Sequence, residues 1–129
     1  MVNRWLVRIS VKQRSVTVLR NGRRVLKFKA VVGARSTPTP RGRFAIYERV
    51  RQPDPSAFLG PFALHLTAHS NVLDNYGGGP GRVAIHGRGA ESLLDPLGTA
   101  RSHGCIRVSN GRIVFLASKL PLGTPVVIR

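Results

Sequence analysis

"SVTVLRNGRRVLKFKAVVG", Ser15 to Gly33, holds two apolar-rich runs on either side of Asn21-Gly22. An Asn-Gly pair between such runs is a strong hairpin signal, because both residues accept the left-handed backbone a two-residue turn demands. The stretch before it continues the pattern. In "RWLVRISV" Trp5, Val7, Ile9 and Val11 alternate with Leu6, Arg8 and Ser10, a period of two that predicts a strand. After it, "RSTPTPRG" (Arg35 to Gly42) reads as a loop whose prolines limit ladder hydrogen bonds, and "RFAIYERV" as another strand. "RQPDPSAFLGP" is loop, "FALHLT" (Phe62 to Thr67) a strand, "NYGGGPGR" a glycine-rich break, and "VAIHG" a short apolar strand ending in a histidine. Ile113, Leu116, Ala117 and Leu120 recur at helical spacing, with Ser109 or Asn110 as the cap and Pro121 as the stop. "TPVVIR" closes the chain as a strand. The pattern predicts one domain over residues 1–129, mainly β (α+β), with one late helix.

A chain of 129 residues with a hydrophobic fraction of 42% can bury a core without disulfides or metal staples. Its single cysteine forms no internal disulfide. The longest uninterrupted apolar run, Ile113 to Ala117, is far short of a membrane span. Met1 to Ser10 carries arginines but no apolar core of signal-peptide length. Charge is the anomaly. The net value is +16, which favours polyanionic partners and says nothing about fold.

The cysteine stands in "ARSHGCIRVSN", Ala100 to Asn110. A structural cysteine sits among apolar residues and stays protonated, whereas Cys105 has His103, Gly104 and Arg107 around it. Positive neighbours are expected to lower the thiol pKa. Strand alternation through 103, 105 and 107 would put imidazole, thiol and guanidinium on one wall. A small buried core residue is the other reading. A thiolate nucleophile needs a base, and His86, at the end of "VAIHG" beside a glycine, is placed where a strand opens into a loop. A half-buried histidine satisfied by backbone is the alternative there.

His65 and His69 have the four-residue spacing of two zinc ligands on a helix, but "FALHLT" alternates as a strand, which splits them. They read as surface or core-edge residues, and no metal site is expected. "GGGPG" lacks the GK[ST] ending of a phosphate loop. The five carboxylates are scattered, so paired-carboxylate chemistry is not expected. Aromatic residues, at 6%, are too sparse for a stacking platform, and no nucleic-acid partner is expected.

His86-Gly87 followed by "SHGCIRVSN" (Ser102 to Asn110) resembles the signature of the L,D-transpeptidases, the YkuD-type catalytic domain. "SVTVLRNGRRV", "VVGARSTPTPRGRFAI", "GGGPGRVAIHG" and "LPLGTPVVIR" resemble successive segments of that family in the same order, so nearly the whole chain is covered. The resemblance implies a β-sandwich or barrel-like core with the cysteine in a cleft under a lid, here supplied by Arg51 to Gly81. It implies cleavage of a peptidoglycan stem tetrapeptide after its third residue, release of D-alanine and transfer of the acyl group to an amine. Carbapenem-type β-lactams would acylate the same cysteine. Carried over by position, Cys105 is the nucleophile and His86 the general base, oriented by the Gly87 carbonyl. Ser102 and His103 shape the site, backbone N–H groups near Gly104 and Cys105 form an oxyanion hole, and Arg107 lies against substrate. The resemblance implies no cofactor, a location in the cell envelope, and a monomer.

Two rival readings follow from the same residues. One is a basic β domain that binds cell-wall polymer without catalysis. The other is a cysteine peptidase of the NlpC/P60 type that hydrolyses stem peptides, against which the order here, histidine before cysteine, counts.

Overall fold

The computed structural model describes residues 4–69 and 82–129. The glycine-rich break and the later part of the expected lid fall outside those residues. Three strands open the chain, β1 (Trp5–Ser10), β2 (Ser15–Arg20) and β3 (Arg23–Lys29), joined by tight turns. Asn21 and Gly22 both adopt positive φ, 53° and 76°, as the Asn-Gly signal requires. Short β4 (Val32–Gly33) leads to the long β5 (Gly42–Arg51), and β6 (Phe62–His69) and β7 (Arg82–His86) follow. A 3-10 turn over Ala90–Leu94 precedes the short strands β8 (Ala100–Ser102) and β9 (Ile106–Arg107). Helix α1 (Asn110–Lys119) and strand β10 (Pro125–Ile128) end the chain.

Eight strands form one sheet in the order β3-β2-β1-β10-β5-β6-β7-β9, and β4 pairs with β8 beside it. The sheet curls back on itself. Val31, just past β3, exchanges backbone hydrogen bonds with Arg107 in β9, so the two ends of the strand order meet. Among the described residues the fold is mainly β with one α-helix, as the sequence pattern predicts, and its sheet is curled.

Alternation explains which side chains go inside. Val7 and Ile9 from β1, Val16 and Val18 from β2, and Val126 and Ile128 from β10 are all buried in one core. Helix α1 packs against β6 and adds Ile113, Leu116, Ala117 and Leu120, the stripe read from the sequence. Truncating a buried leucine such as Leu116 to alanine in a core of this kind costs about 2–5 kcal/mol. Of the two candidate caps, Ser109 takes the position: its hydroxyl accepts from the Arg112 N–H at 3.3 Å. The helix stops at Leu120, one residue before Pro121.

Short strands β4, β8 and β9 and the 3-10 turn escape the sequence reading. Two- and three-residue strands carry too few alternations to register as a period.

Candidate active site

Strands β6, β7 and β9 lie side by side, and their register decides what the site contains. Ala63 pairs with His86 and His65 with Ala84 across β6 and β7. Ile85 pairs with Ile106 and His86 with Arg107 across the parallel β7 and β9. Side chains alternate across a sheet, so each strand divides its residues between two faces. Leu64, Leu66, Val83, Ile85, Ile106 and Val108 enter the main core. The residues between them, Ala63, His65, Ala84, His86, Cys105 and Arg107, occupy the opposite face. Cys105 accordingly packs with Ala84 in a small cluster separate from the main core.

Cys105 is 1% exposed and His86 is fully buried. The Nδ1 atom of His86 lies 2.6 Å from the Gly87 carbonyl oxygen. A carbonyl only accepts, so Nδ1 carries the proton and Nε2 presents its lone pair. Nε2 is buried and makes no hydrogen bond. Burial pushes the His86 pKa down to about 4; the hydrogen bond to Gly87 opposes this, while the charges of Arg107 and His65 reinforce it. The imidazole is therefore neutral at neutral pH and basic at one nitrogen.

The thiol departs from the sequence expectation. Burial raises the Cys105 pKa, and hydrogen bonding from the Ala84 backbone together with the Arg107 charge offsets this only in part. A positive neighbour was expected to dominate, but desolvation outweighs it. The resting pair is a neutral thiol and a neutral imidazole.

The turn that delivers the cysteine is held by one hydroxyl. Ser102 Oγ accepts from the Gly104 N–H at 3.0 Å and donates to the Cys105 carbonyl at 2.6 Å. Thr39 Oγ1, which accepts from the Gly33 N–H, donates to the Gly104 carbonyl at 2.8 Å. Gly104 has φ 123°, a backbone conformation that side chains disfavour. That kink breaks the alternation expected through 103, 105 and 107. His103 turns to solvent while Cys105 and Arg107 are buried, so the histidine does not share their wall. Of the N–H groups expected to line an oxyanion hole, that of Gly104 is engaged by Ser102 here.

Arg107 is 3% exposed and pairs with Asp95 at 2.8 Å. Its guanidinium stacks 4.9 Å from the centre of the Phe58 ring, and that ring lies 6.0 Å from the ring of His86. Phe58 belongs to the segment between β5 and β6, the described part of the expected lid, and covers both residues. Ser92 ties the next loop to it by donating to the Phe58 carbonyl at 2.7 Å. Gly87 also meets a close neighbour. A Cβ there would stand 2.3 Å from Asn110 Oδ1, the atom that accepts from the Arg88 N–H.

Nothing in the sequence marks Phe58, Thr39 or Asp95 as site residues, and Asn110 reads there only as a candidate helix cap. The scattered carboxylates gave no sign that Asp95 would meet Arg107, twelve positions on. His65, read as a surface or core-edge residue, is buried on the site's face. The side chain of His69 lies outside the described residues. Among the described residues no three metal-ligating side chains gather, and no helix is long and apolar enough to cross a membrane.

The family model YkuD, the L,D-transpeptidase catalytic domain, matches residues 4–128. A Bacillus licheniformis protein named for the L,D-transpeptidase YkuD is 34% identical over 124 residues, 96% of this chain and 65% of that protein. The chain thus spans about two thirds of that relative's length. Among solved structures, L,D-transpeptidase 3 from Mycobacterium tuberculosis, in complex with a faropenem-derived adduct, superposes with a TM-score of 0.75. It is 21% identical, covering 98% of this chain and 60% of that one. An L,D-transpeptidase from Mycobacterium smegmatis gives a TM-score of 0.73 at 22% identity, over 98% of this chain and 58% of that one. With its matched segment running almost from end to end, the chain belongs to the YkuD family of L,D-transpeptidase catalytic domains.

Proposed function

We propose that this chain is a cysteine-dependent L,D-transpeptidase, with Cys105 as nucleophile and His86 as general base. The observation that carries the reading is the state of His86. Its Nδ1–H is committed to Gly87, its Nε2 is open and buried, and it stands on the same sheet face as the chain's only thiol.

The substrate is a peptidoglycan stem tetrapeptide bound at its third residue, a diamino acid. Sγ attacks the carbonyl carbon joining that residue to D-alanine as Nε2 takes the thiol proton. The tetrahedral intermediate collapses, the imidazolium returns its proton to the leaving amine, and D-alanine departs from a thioester. An acceptor amine then attacks the thioester carbon, His86 takes its proton, and the thiol is restored. Because both resting groups are neutral, the proton moves during attack, and no thiolate–imidazolium pair is stored beforehand. The Cys105 N–H and a neighbouring donor stabilise the oxyanion, a contribution of about 2.7–4 kcal/mol per donor in related chemistry. His103, exposed beside the turn, meets the substrate, whereas Arg107, expected against it, lies buried under Phe58 and backs the wall of the site. The work takes place outside the cytoplasm, and carbapenem-type β-lactams acylate the same sulfur.

Intact-protein mass spectrometry after incubation with a carbapenem tests this reading. One covalent adduct, lost in Cys105→Ala, is expected; an unmodified wild-type chain would refute it. Release of D-alanine from tetrapeptide, followed with and without an acceptor amine, then separates transfer from hydrolysis.

A further inference from the structure

A groove of about 340 Å³ lies on the outside of the curled sheet, lined by Arg8, Ser10, Gln13, Ser15, Thr17, Lys27 and Arg129 with Ile9 beneath. Register puts two of its cations, Arg8 and Lys27, in line with a third, Arg43, which lies beyond the groove. Arg8 pairs with Thr17 on one side and Val127 on the other; Thr17 pairs with Lys27, and Val127 with Arg43. One row across five strands therefore reads Arg43, Val127, Arg8, Thr17, Lys27. The residues before and after them on β1 and β2 enter the core, so this row faces solvent. Neighbouring strands lie about 4.8 Å apart, which spaces the three cations about 10 Å from one to the next.

Among the described residues no ion pair involves this row. No Asp or Glu lines the groove. Residues 1–47 contain twelve Lys or Arg and no acidic residue. Among the described residues the ion pair formed is Arg107–Asp95, which belongs to the site above. The remaining lining groups, three hydroxyls and an amide, supply further donors for an oxyanion. A lone phosphate would use one or two of these groups, whereas a line of cations at regular spacing suits a chain that carries a negative charge at each repeat. No aromatic side chain lines the groove, so it offers no platform on which bases would stack.

We propose that this row binds a polyanion without bases, a phosphodiester-linked polyol or sugar polymer, lying across β5, β10, β1, β2 and β3. Its anchor is electrostatic and separate from Cys105. Its binding does not depend on the transpeptidase reading, and it would hold the chain against an anionic polymer.

The test uses the full chain and an end-labelled poly(glycerol phosphate), followed by fluorescence anisotropy. Binding at low salt, with affinity falling as salt rises to about 0.15 M, is expected. The pair Arg8→Glu/Lys27→Glu should weaken it at least about tenfold, while the control pair Arg112→Glu/Lys119→Glu, with the same change in net charge outside the groove, should weaken it far less. Circular dichroism and the rate of carbapenem acylation check that the variants are folded. Equal losses in the two pairs would assign binding to diffuse charge and overturn the proposal, as would no binding at low salt. Inorganic phosphate competing as well as the polymer, per phosphate, would reduce the row to a single-ion site and overturn it too. Tighter binding of single-stranded DNA, weakened by the same pair, would replace it with a nucleic-acid surface. Absence of a carbapenem adduct would count against the proposed catalysis alone and leave these binding outcomes intact.

Discussion

His86 donates its Nδ1 proton to the carbonyl of the very next residue, Gly87, across 2.6 Å. An adjacent carbonyl cannot swing away without moving the strand end itself. The ring is locked in one tautomer by the backbone that carries it, with no carboxylate required.

Burial of the same ring, opposed only in part by its bond to Gly87, sets the pH dependence expected of acylation. With the His86 pKa held at about 4, the imidazole stays an unprotonated base across the range where an ordinary histidine, near 6.5, would titrate. The rate of carbapenem acylation should be nearly flat from about pH 5.5 to 7.5, fall only toward pH 4, and climb at alkaline pH as the raised thiol ionises. Stopped-flow or mass-spectrometric rates across pH would show it. An acid limb centred near 6.5 would mean a solvated ring.

Stability should respond to the same group in the acid range. The folded His86 binds its proton near 4 and the unfolded one near 6.5, so between those values the unfolded chain holds more protons and stability falls as pH falls. The span corresponds to on the order of 3 kcal/mol. Urea unfolding at a series of pH values should reveal this slope in the wild type and a shallower one in His86→Gln.

Asp95→Asn should cost more than a surface ion pair. Arg107 is buried and Asp95 is 24% exposed, so removal of the carboxylate leaves a guanidinium largely cut off from water. Partial exposure of the partner brings the loss to about 1–3 kcal/mol, below the range for a wholly buried pair. A double-mutant cycle with Arg107→Leu should return a coupling energy above about 1 kcal/mol. Additivity within error would show that the two side chains act independently.

Ser102→Ala removes one hydroxyl and two hydrogen bonds, freeing the Gly104 N–H and the Cys105 carbonyl inside the fold. A loss of about 1–3 kcal/mol is expected in denaturant unfolding. Acylation of Cys105 should slow as well, since the turn that aims the thiol loses its tie.

Gly87→Ala forces a Cβ to within 2.3 Å of Asn110 Oδ1 and 3.0 Å of Pro61 Cδ. Destabilisation by about 1–3 kcal/mol is expected, with slower acylation because the Gly87 carbonyl must shift. Combined with Asn110→Ala the effects should be less than additive, because the second change removes the atom in the way. Thermal unfolding of the four proteins measures it.

The fold was legible wherever apolar alternation ran long enough. The Asn21-Gly22 hairpin, strands β1, β5, β6 and β10, and helix α1, its cap narrowed to Ser109 or Asn110, all follow from local pattern. Strands of two or three residues do not, because they form only where a neighbour supplies the ladder, as Arg107 does for Val31. Within the candidate site, His86 is marked by its place at a strand end beside a glycine, and Cys105 by a glycine and polar neighbours. Asp95, Phe58 and Thr39 are not, since their partners lie on other elements and nothing in their own surroundings marks them, and Asn110 reads only as a helix cap. The direction of the thiol shift was misread for a related reason. Sequence shows neighbouring charge, but desolvation arises only when the folded chain buries the sulfur beside Ala84.

The alternation along β6, β7 and β9 also bears on how such an enzyme can diverge. Odd and even positions of the same three strands serve different masters, so a change at Ala84 or His65 can retune reactivity while Ile85 and Leu64 go on holding the scaffold. Selection can thus explore new specificities on one side of a few dozen atoms of backbone without gambling the integrity of the other.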